Sequence, residues 1–354
     1  IEKAWFRLGK AFAKEGHEVV HVSRRCDGLP QEETIEDVRH QRVEGFEATG
    51  STLFLKWRDL RYVLRASKVL PAADILVTHA FWAPLLIRDH SRGALYVHVG
   101  RYPKGQMKFY GRAARLQAPS ETIAEAILRE VPSRASKVKA IPYPLSWETE
   151  MVLEPASRKK SVLFLGRIHP EKGLRELVNA FAGLPEESRR DWRLDVRGPW
   201  RKEQGGAGQD FLDELKVSAK PAGNAIHFHE PFFDDAKLRE DLKRASLFVY
   251  PSLAERGETF GLAALEAMSC GCPPLVSSLA CFRDFVTDGK TGFVFDHRDG
   301  EITESLHGSL VKLLVQPDAL AKVGAAGCEA AKAYSLESVA KLFLEDFREV
   351  LGKG

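Results

Sequence analysis

The chain lacks the signatures by which several common protein classes announce themselves. Its five cysteines, Cys26, Cys270, Cys272, Cys281 and Cys328, are odd in number and form no C-x-x-C pair, so neither a disulfide framework nor a zinc site is signalled. A reducing compartment fits that usage, and the expected location is the cytoplasm. No apolar run reaches the length that a membrane-spanning helix needs. No G-x-G-x-x-G follows a strand, which argues against a nicotinamide dehydrogenase. No D-x-D occurs, so no metal bridging a ligand's phosphates is suggested, and no cofactor is expected. The balance of charge is only +3, and nothing calls for nucleic acid.

What is present is an ordinary globular composition. At 354 residues, 44% hydrophobic and 29% charged, the chain is long enough for two domains, each with its own core. Residues 1–150 carry 24 Lys+Arg against 18 Asp+Glu, which leaves 28 against 31 for the remainder, a mild basic-to-acidic asymmetry.

Trp5, Leu8 and Phe12 share one face of a helix that Gly16 closes, and the β-rich run HEVVHVS follows. A helix-then-strand start implies a first strand of the sheet upstream of Ile1. From Cys26 to Glu36 the composition reads as loop, Val38 to Val43 as a strand, Leu60 to Leu70 as a helix stopped by Pro71, and Asp74 to Thr78 as a buried strand. The strand from Ala94 delivers His98, Gly100 and Arg101 to its carboxyl end, where ligands collect in open α/β sheets. No acid occurs between His90 and Ser120, while Arg101, Lys104, Lys108, Arg112 and Arg115 recur at spacings of three and four. On a helix they would form one basic stripe, interleaved with Tyr102, Phe109 and Tyr110 and interrupted by Pro103, Gly105 and Gly111. Two readings stay open for it, a solvated face or a contact with an anionic acceptor or the inner face of a membrane.

Ser120 caps a helix through Leu128, and the polar stretch from Ser146 to Lys160 reads as the linker between a domain of residues 1–150 and one of residues 151–335. Beyond it strands and helices alternate: Ser161–Leu165, the helix Leu174–Ala182, the strand RLDVRG, a glycine-rich loop at 205–208 expected to be mobile, AIHFH, the helix DDAKLREDLKRA and ASLFVYPS. Such alternation implies a parallel sheet covered on both faces.

Two places offer chemistry. In YPSLAERGETFGLAALEAMSCGCPP, Glu258 precedes a helix that Phe260, Gly261 and Leu262 open, and Glu266 lies two turns inside it. The first amides of that helix lack intrahelical partners and suit an anion. Two turns put the carboxyls on the order of 10 Å apart, too far for a pair flanking one bond. Either they hold two ends of an elongated anion, or they are solvated glutamates of an amphipathic helix whose core stripe is Leu262, Leu265 and Met268. In GRIHPEKGL, Arg167 and Lys172 stand on the loop after the second domain's first strand, where a guanidinium and an ammonium suit a diphosphate.

SVLFLGRIHPEKG, RLDVRG, ASLFVYPS and GETFGLAALEAMSCGCPPLVSS, taken in order, resemble the retaining glycosyltransferases of GT-B fold, the group 1 or family-four type with an E-x7-E motif. GHEVVHVS, the strand to His98, RLQAPSETIAEAI and KVKAIPYPLS resemble the family's N-terminal domain, and AAKAYSLESVAKLFLEDFREVL its closing helix. The resemblance implies two Rossmann-like domains with parallel sheets facing across a cleft, and a final helix, 336–354, crossing back to the first. It implies transfer of a sugar, with retention and without metal, from a nucleoside-diphosphate sugar to a glycan, lipid or small-molecule acceptor. The donor would be a UDP-sugar first, with GDP- or ADP-sugars as alternatives. Carried over residue by residue, Arg167 and Lys172 take the donor diphosphate, with Gly166 and Thr259 also in the donor-binding site. Glu258 takes hydroxyls of the donor sugar, the amides from Phe260 to Leu262 the phosphate or sugar, and Glu266 the ribose hydroxyls. His229 and Glu230 lie by the base, and His98 stands near the reacting sugar or is a structural strand-end histidine. The family's Gly-Gly loop precedes a helix like the first one here and does not occur in this chain, which leaves open a nucleotide-sugar-binding module without turnover. A GT-B epimerase or phosphorylase is a further alternative.

Overall fold

The first helix forms where the apolar spacing predicts it, over Glu2–Lys14, with Leu8 and Phe12 buried. The structure, a computed structural model, describes residues 2–46, 52–149, 158–298 and 300–352. Its chain divides into two compact units, residues 1–144 with 336–354, and residues 145–335.

The first unit holds two sheets. In one, β1 (Val19–Arg24) pairs in parallel with β3 (Val38–Val43), which pairs antiparallel with β2 (Glu32–Ile35). The strand β2 corrects the expectation of a loop through Glu36. Its charged, alternately exposed residues hide the pattern, and the turn that creates it uses Glu36 and Asp37 at positive φ (47° and 63°) where Asn or Gly would have signalled a hairpin. In the other, β4 (Ile75–Thr78), β5 (Ala94–His98), β6 (Arg115–Ala118) and β7 (Val138–Ala140) run parallel in that order. β4 is half-buried rather than buried because it is the edge of this sheet. The helix expected from Leu60 begins eight residues earlier and spans Thr52–Val69, since no breaker precedes Leu60 within it.

The basic stripe does not form. Lys108 sits in a short 3-10 turn, Gln106–Phe109, entered through Gly105 at φ 92°, whereas Arg115 lies buried on β6. The Arg115 guanidinium donates to Asp346 through Nε at 3.1 Å and holds Nη2 2.6 Å from its other oxygen, and Tyr96 OH donates to the same carboxylate at 2.7 Å. Asp346 belongs to the last helix, Leu336–Val350, whose Val339, Ala340, Phe343 and Leu344 pack with Leu8, Phe12, Tyr96 and Ile141 into one core cluster. Residue pairs more than two hundred positions apart therefore close the first unit.

At the carboxyl end of β5, His98 is buried between Gln117 and Tyr143. Gln117 donates its two amide hydrogens to the carbonyls of Ala118 and Ile141, each at 2.6 Å, so its oxygen must face His98 Nδ1 and accept from it. Nε2 is then the acceptor for Tyr143 OH at 2.8 Å. Burial pulls the His98 pKa down to about 4, against the hydrogen bond to Gln117, so the ring is neutral at physiological pH.

The second unit is one six-stranded parallel sheet. Its strands are β8 (Lys159–Leu165), β9 (Arg193–Arg197), β10 (Ile226–His229), β11 (Ala245–Tyr250), β12 (Pro274–Ser277) and β13 (Phe293–Phe295). They lie in the order β10-β9-β8-β11-β12-β13. The expected alternation is present, with the helices Leu174–Ala182, Gln209–Ala219, Asp235–Arg244 and Leu262–Ser269 between strands. The unit begins at Leu145, ahead of the boundary expected at 151, because the supposed linker is already attached. Leu145 N–H donates to Tyr334 O at 2.9 Å and Trp147 Nε1 to Ser269 Oγ at 3.0 Å, while Lys159 and Lys160 start β8; residues 150–157 lie outside the described residues.

Two outcomes are expected. Asp346→Asn removes the charge that two buried donors share, and should lower unfolding stability by about 3 kcal/mol in denaturant titrations; an unchanged midpoint would contradict the role given to this carboxylate. For His98, the unfolded ring protonates near 6.5 and the folded one near 4, so the unfolded chain binds more protons between them. Its contribution should be complete above pH 6.5 and lost as pH falls to 4, on the order of 3 kcal/mol. His21, also drawn down to about 4 by burial, acts in the same window. His40 and His79 are lowered by burial as well, so melting curves of His98→Gln should lose part of the acid sensitivity in this window, and an identical pH profile would count against it.

Candidate functional site

The second unit's strand order reverses direction between β8 and β11, and in such sheets the crevice outside the carboxyl ends of those strands is where ligands bind. The loop after β8 carries Arg167 and Lys172, and the loop after β11 carries Glu258. Gly173, at φ 68°, turns the first loop into its helix, and a Cβ there would lie 2.0 Å from Pro251 O, so the two loops meet backbone to backbone. Leu253 N–H donates to Glu171 O across the contact at 2.9 Å.

Within this junction Lys172 Nζ donates to Glu258 Oε2 at 2.7 Å, and Tyr250 OH donates to the same oxygen at 3.0 Å. Lys172 and Glu258 side chains are only 8% and 12% exposed, so each charge depends on the other. Burial, and then the Glu258 carboxylate, push the Tyr250 pKa well above its ordinary value and keep the phenol a donor. The ammonium also stands 5.3 Å above the Tyr250 ring.

Arg167 is more open. Its guanidinium donates to Gly205 O at 2.7 Å and pairs with Glu171, while His169 Nδ1 accepts the Glu171 N–H and caps the short turn Pro170–Lys172. The glycine-rich segment 205–208 is therefore not loose: besides holding Arg167, its Ala207 N–H donates to Ile168 O and its Gly208 N–H to Trp200 O.

Gly261, at φ 82°, caps the helix Leu262–Ser269, and a Cβ on it would meet the Phe282 ring at 2.3 Å. Phe260 just before it is buried, its ring packed against Phe285 and Tyr334. The helix is buried through Ala264, Leu265, Ala267, Met268 and Ser269, with Leu262 and Glu266 half-buried. That corrects the picture of an amphipathic helix with a stripe of Leu262, Leu265 and Met268. Glu266 accepts a hydrogen bond from Ser146 Oγ.

Gly166, Arg167, Lys172, Glu258, Thr259, Phe260, Gly261 and Leu262 thus come together on two adjoining loops, with Glu266 about one turn, not two, inside the helix that starts at Leu262. His229 and Glu230 stand at the end of β10, two strands from β8 and roughly 10 Å along the sheet edge. His229 Nε2 lies 2.8 Å from Asp195 Oδ1, and Glu230 is exposed, 3.9 Å from Arg201. His98 belongs to the other unit, with both ring nitrogens already engaged. Tyr250, Glu171 and Ser146 escaped sequence reading as partners of the charged groups. So did a cluster at the ends of β12 and β13, where buried His297 bonds Glu255 at 3.0 Å and Ser278 at 2.9 Å. Strand-end position was the signal available for Tyr250; nothing in spacing pointed to the others. Among the described residues no three His, Cys, Asp or Glu side chains are grouped to hold a metal ion.

The family model described as Glycosyl transferases group 1 matches residues 146–327, and that of Glycosyltransferase Family 4 matches residues 1–145. Among curated proteins, a D-inositol 3-phosphate glycosyltransferase of Paenarthrobacter aurescens is 26% identical over 265 residues, covering 71% of this chain and 61% of that protein. A phosphatidyl-myo-inositol mannosyltransferase of Mycobacterium leprae is 31% identical over 196 residues, covering 55% of this chain and 48% of the other. The chain spans roughly a third to three fifths of the length of such relatives. Among solved structures, sucrose-phosphate synthase of Thermosynechococcus elongatus superposes with a TM-score of 0.78 at 20% identity, covering 98% of this chain and 92% of its own. Anabaena HepE, in complex with UDP and glucose, superposes with a TM-score of 0.73 at 16% identity, covering 98% and 95%. The fold is GT-B, and with one family model spanning half of the chain, this protein belongs to the group 1 glycosyltransferases.

Proposed function

We propose that this chain moves a sugar from a nucleoside-diphosphate sugar to an acceptor hydroxyl with retention of configuration and without a divalent metal. The observation that carries the reading is the junction at the reversal of strand order, where two cations, a buried carboxylate and a helix start converge on the loops after β8 and β11. In this reading Arg167, Lys172 and the amides after Phe260 take the diphosphate, which gains charge as the sugar leaves and is stabilised most in the transition state.

The Lys172–Glu258 pair acts as a placeholder. Without donor, the carboxylate neutralises the lysine that is to receive phosphate. When the diphosphate arrives it takes the ammonium, and Glu258 turns to hydroxyls of the donor sugar. Arg167 exchanges Glu171 for phosphate in the same way. Glu266 and the His229–Glu230 corner lie where the ribose and base of an elongated ligand would reach. His98, neutral and tied at both nitrogens, is a fixed polar group rather than a carrier of protons. The attacking hydroxyl loses its proton to a donor phosphate oxygen, so neither glutamate need be a nucleophile.

A uridine diphosphate sugar is the first donor to test, with guanosine and adenosine diphosphate sugars beside it. HepE is held with UDP and glucose, and that comparison suggests the order of testing. The curated relatives named for D-inositol 3-phosphate make a phosphorylated polyol the first acceptor to test.

In a transfer assay run in EDTA, the new glycosidic bond should keep the donor's anomeric configuration by NMR. Arg167→Ala should lower turnover by about a hundredfold or more through loss of a charge-assisted contact. Inverted product, or transfer by Arg167→Ala near the wild-type rate, would overturn the reading.

A further inference from the structure

The helix Thr52–Val69 in the first unit bears an aromatic and basic face that the fold leaves uncovered. Phe54, Trp57 and Leu64 are 44%, 50% and 45% exposed, high values for such side chains. The rings of Phe54 and Trp57 lie near-parallel, 14° between planes and 6.2 Å between centroids. Arg58 stands 4.3 Å over the Phe54 ring and Arg61 4.9 Å over that of Trp57. At 3.6 residues per turn, positions 54, 57, 58, 61, 65 and 68 fall on one side of the helix. None of those helix positions is acidic, and the carboxylate that meets them among the described residues, Glu44 of the preceding segment, pairs with Arg65 at 3.3 Å. The helix's only acid, Asp59, points the other way, where its charge is felt by Tyr62 and Tyr110.

Two adjoining cavities border this face. One of about 630 Å³ is lined by the aromatic and arginine side chains of the helix. The second, of about 730 Å³, shares Glu44, Gly45, Phe46 and Arg65 with it. It adds Arg24, Arg25, Arg42 and Lys68, against which Asp27 and Glu44 are its acids among the described residues. Arg42 is committed to Glu33 and to Pro30 O, whereas Arg25 and Lys68 are exposed. Apolar rings therefore lead directly into a region of excess positive charge.

We propose that this face docks the protein on an anionic lipid surface. Phe54, Trp57 and Leu64 enter the boundary between headgroups and acyl chains, and Arg61, Lys68 and the basic cavity take lipid phosphates. Arginines that stack on the aromatic rings can bury their stems in that boundary and keep their charges at headgroup depth. The interleaving of rings and cations on one side of the helix, against which Glu44 answers Arg65 alone among the described residues, matches such a surface in both polarity and charge.

The test is sedimentation of the full chain with vesicles of phosphatidylcholine, with and without phosphatidylglycerol. The protein should pellet with the mixed vesicles, remain in solution with phosphatidylcholine alone, and be released by high salt. Phe54→Ser with Trp57→Ser should abolish pelleting, and Arg61→Glu with Lys68→Glu should weaken it by at least about fivefold per charge removed. Both variants should melt like the parent, and both should bind nucleoside diphosphate unchanged. Replacing Arg101, Lys104 and Lys108 by Ala should leave pelleting intact. Absence of binding to the mixed vesicles, or pelleting untouched by the substitutions on this helix, would overturn the proposal. So would release of the protein by low concentrations of glycerol phosphate, which would assign the cavity to a soluble anion.

Discussion

The ion pair between Lys172 and Glu258 is the constraint on which the second unit's site depends. Both side chains are nearly buried, so each needs the other or an equivalent charge. Their pairing fixes the loop after β8 to the loop after β11, a junction tightened by Gly173 against Pro251 and by the Leu253–Glu171 hydrogen bond. It also decides what the site can accept. A ligand that takes Lys172 must bring negative charge to replace Glu258, and a ligand that satisfies Glu258 must bring hydroxyls or a cation. A sugar joined to a diphosphate brings both at neighbouring positions.

The first unit is built around its own buried carboxylate. Asp346, delivered by the last helix, gathers Tyr96 and Arg115 from adjacent strands, so the end of the chain is part of the first core. The polar group at the end of β5 is static by comparison. Gln117, with both amide hydrogens spent on backbone carbonyls, sets the His98 tautomer, and burial keeps the ring uncharged. The exchange of ionic partners proposed above falls instead to the second unit, whose Lys172–Glu258 pair joins the loops at the ends of β8 and β11.

Much of the second unit was legible because its strands are buried on both faces and its helices carry regular apolar spacing. Leu174–Ala182 forms with the expected boundaries, and the E-x7-E stretch opens its helix at Gly261 as read. Arg167, Lys172 and Glu258 could be picked out as charged groups at strand ends. That Lys172 and Glu258 touch could not, because contact depends on two strands being neighbours across an interval of 86 residues. The first unit was less readable. Charges that look alike in sequence part company in three dimensions: Arg115 is drawn inside by an aspartate 231 residues away, while its supposed neighbours stay on a broken surface segment. The strand Glu32–Ile35 was invisible because its turn uses Glu36 and Asp37 in left-handed geometry. The helix Thr52–Val69 was seen only in its second half, and its exposed aromatic face went unnoticed because exposure is not written in periodicity.

The most direct test of the placeholder pair is the affinity of a nucleoside diphosphate without its sugar for Glu258→Gln, by calorimetry against the parent. Removing the carboxylate releases Lys172 and takes away a negative charge that the diphosphate must displace. The expected result is tighter binding of the diphosphate, by about fivefold or more, alongside a loss of sugar transfer. Diphosphate binding that is unchanged or weaker in Glu258→Gln would contradict the exchange of one anion for the other at Lys172.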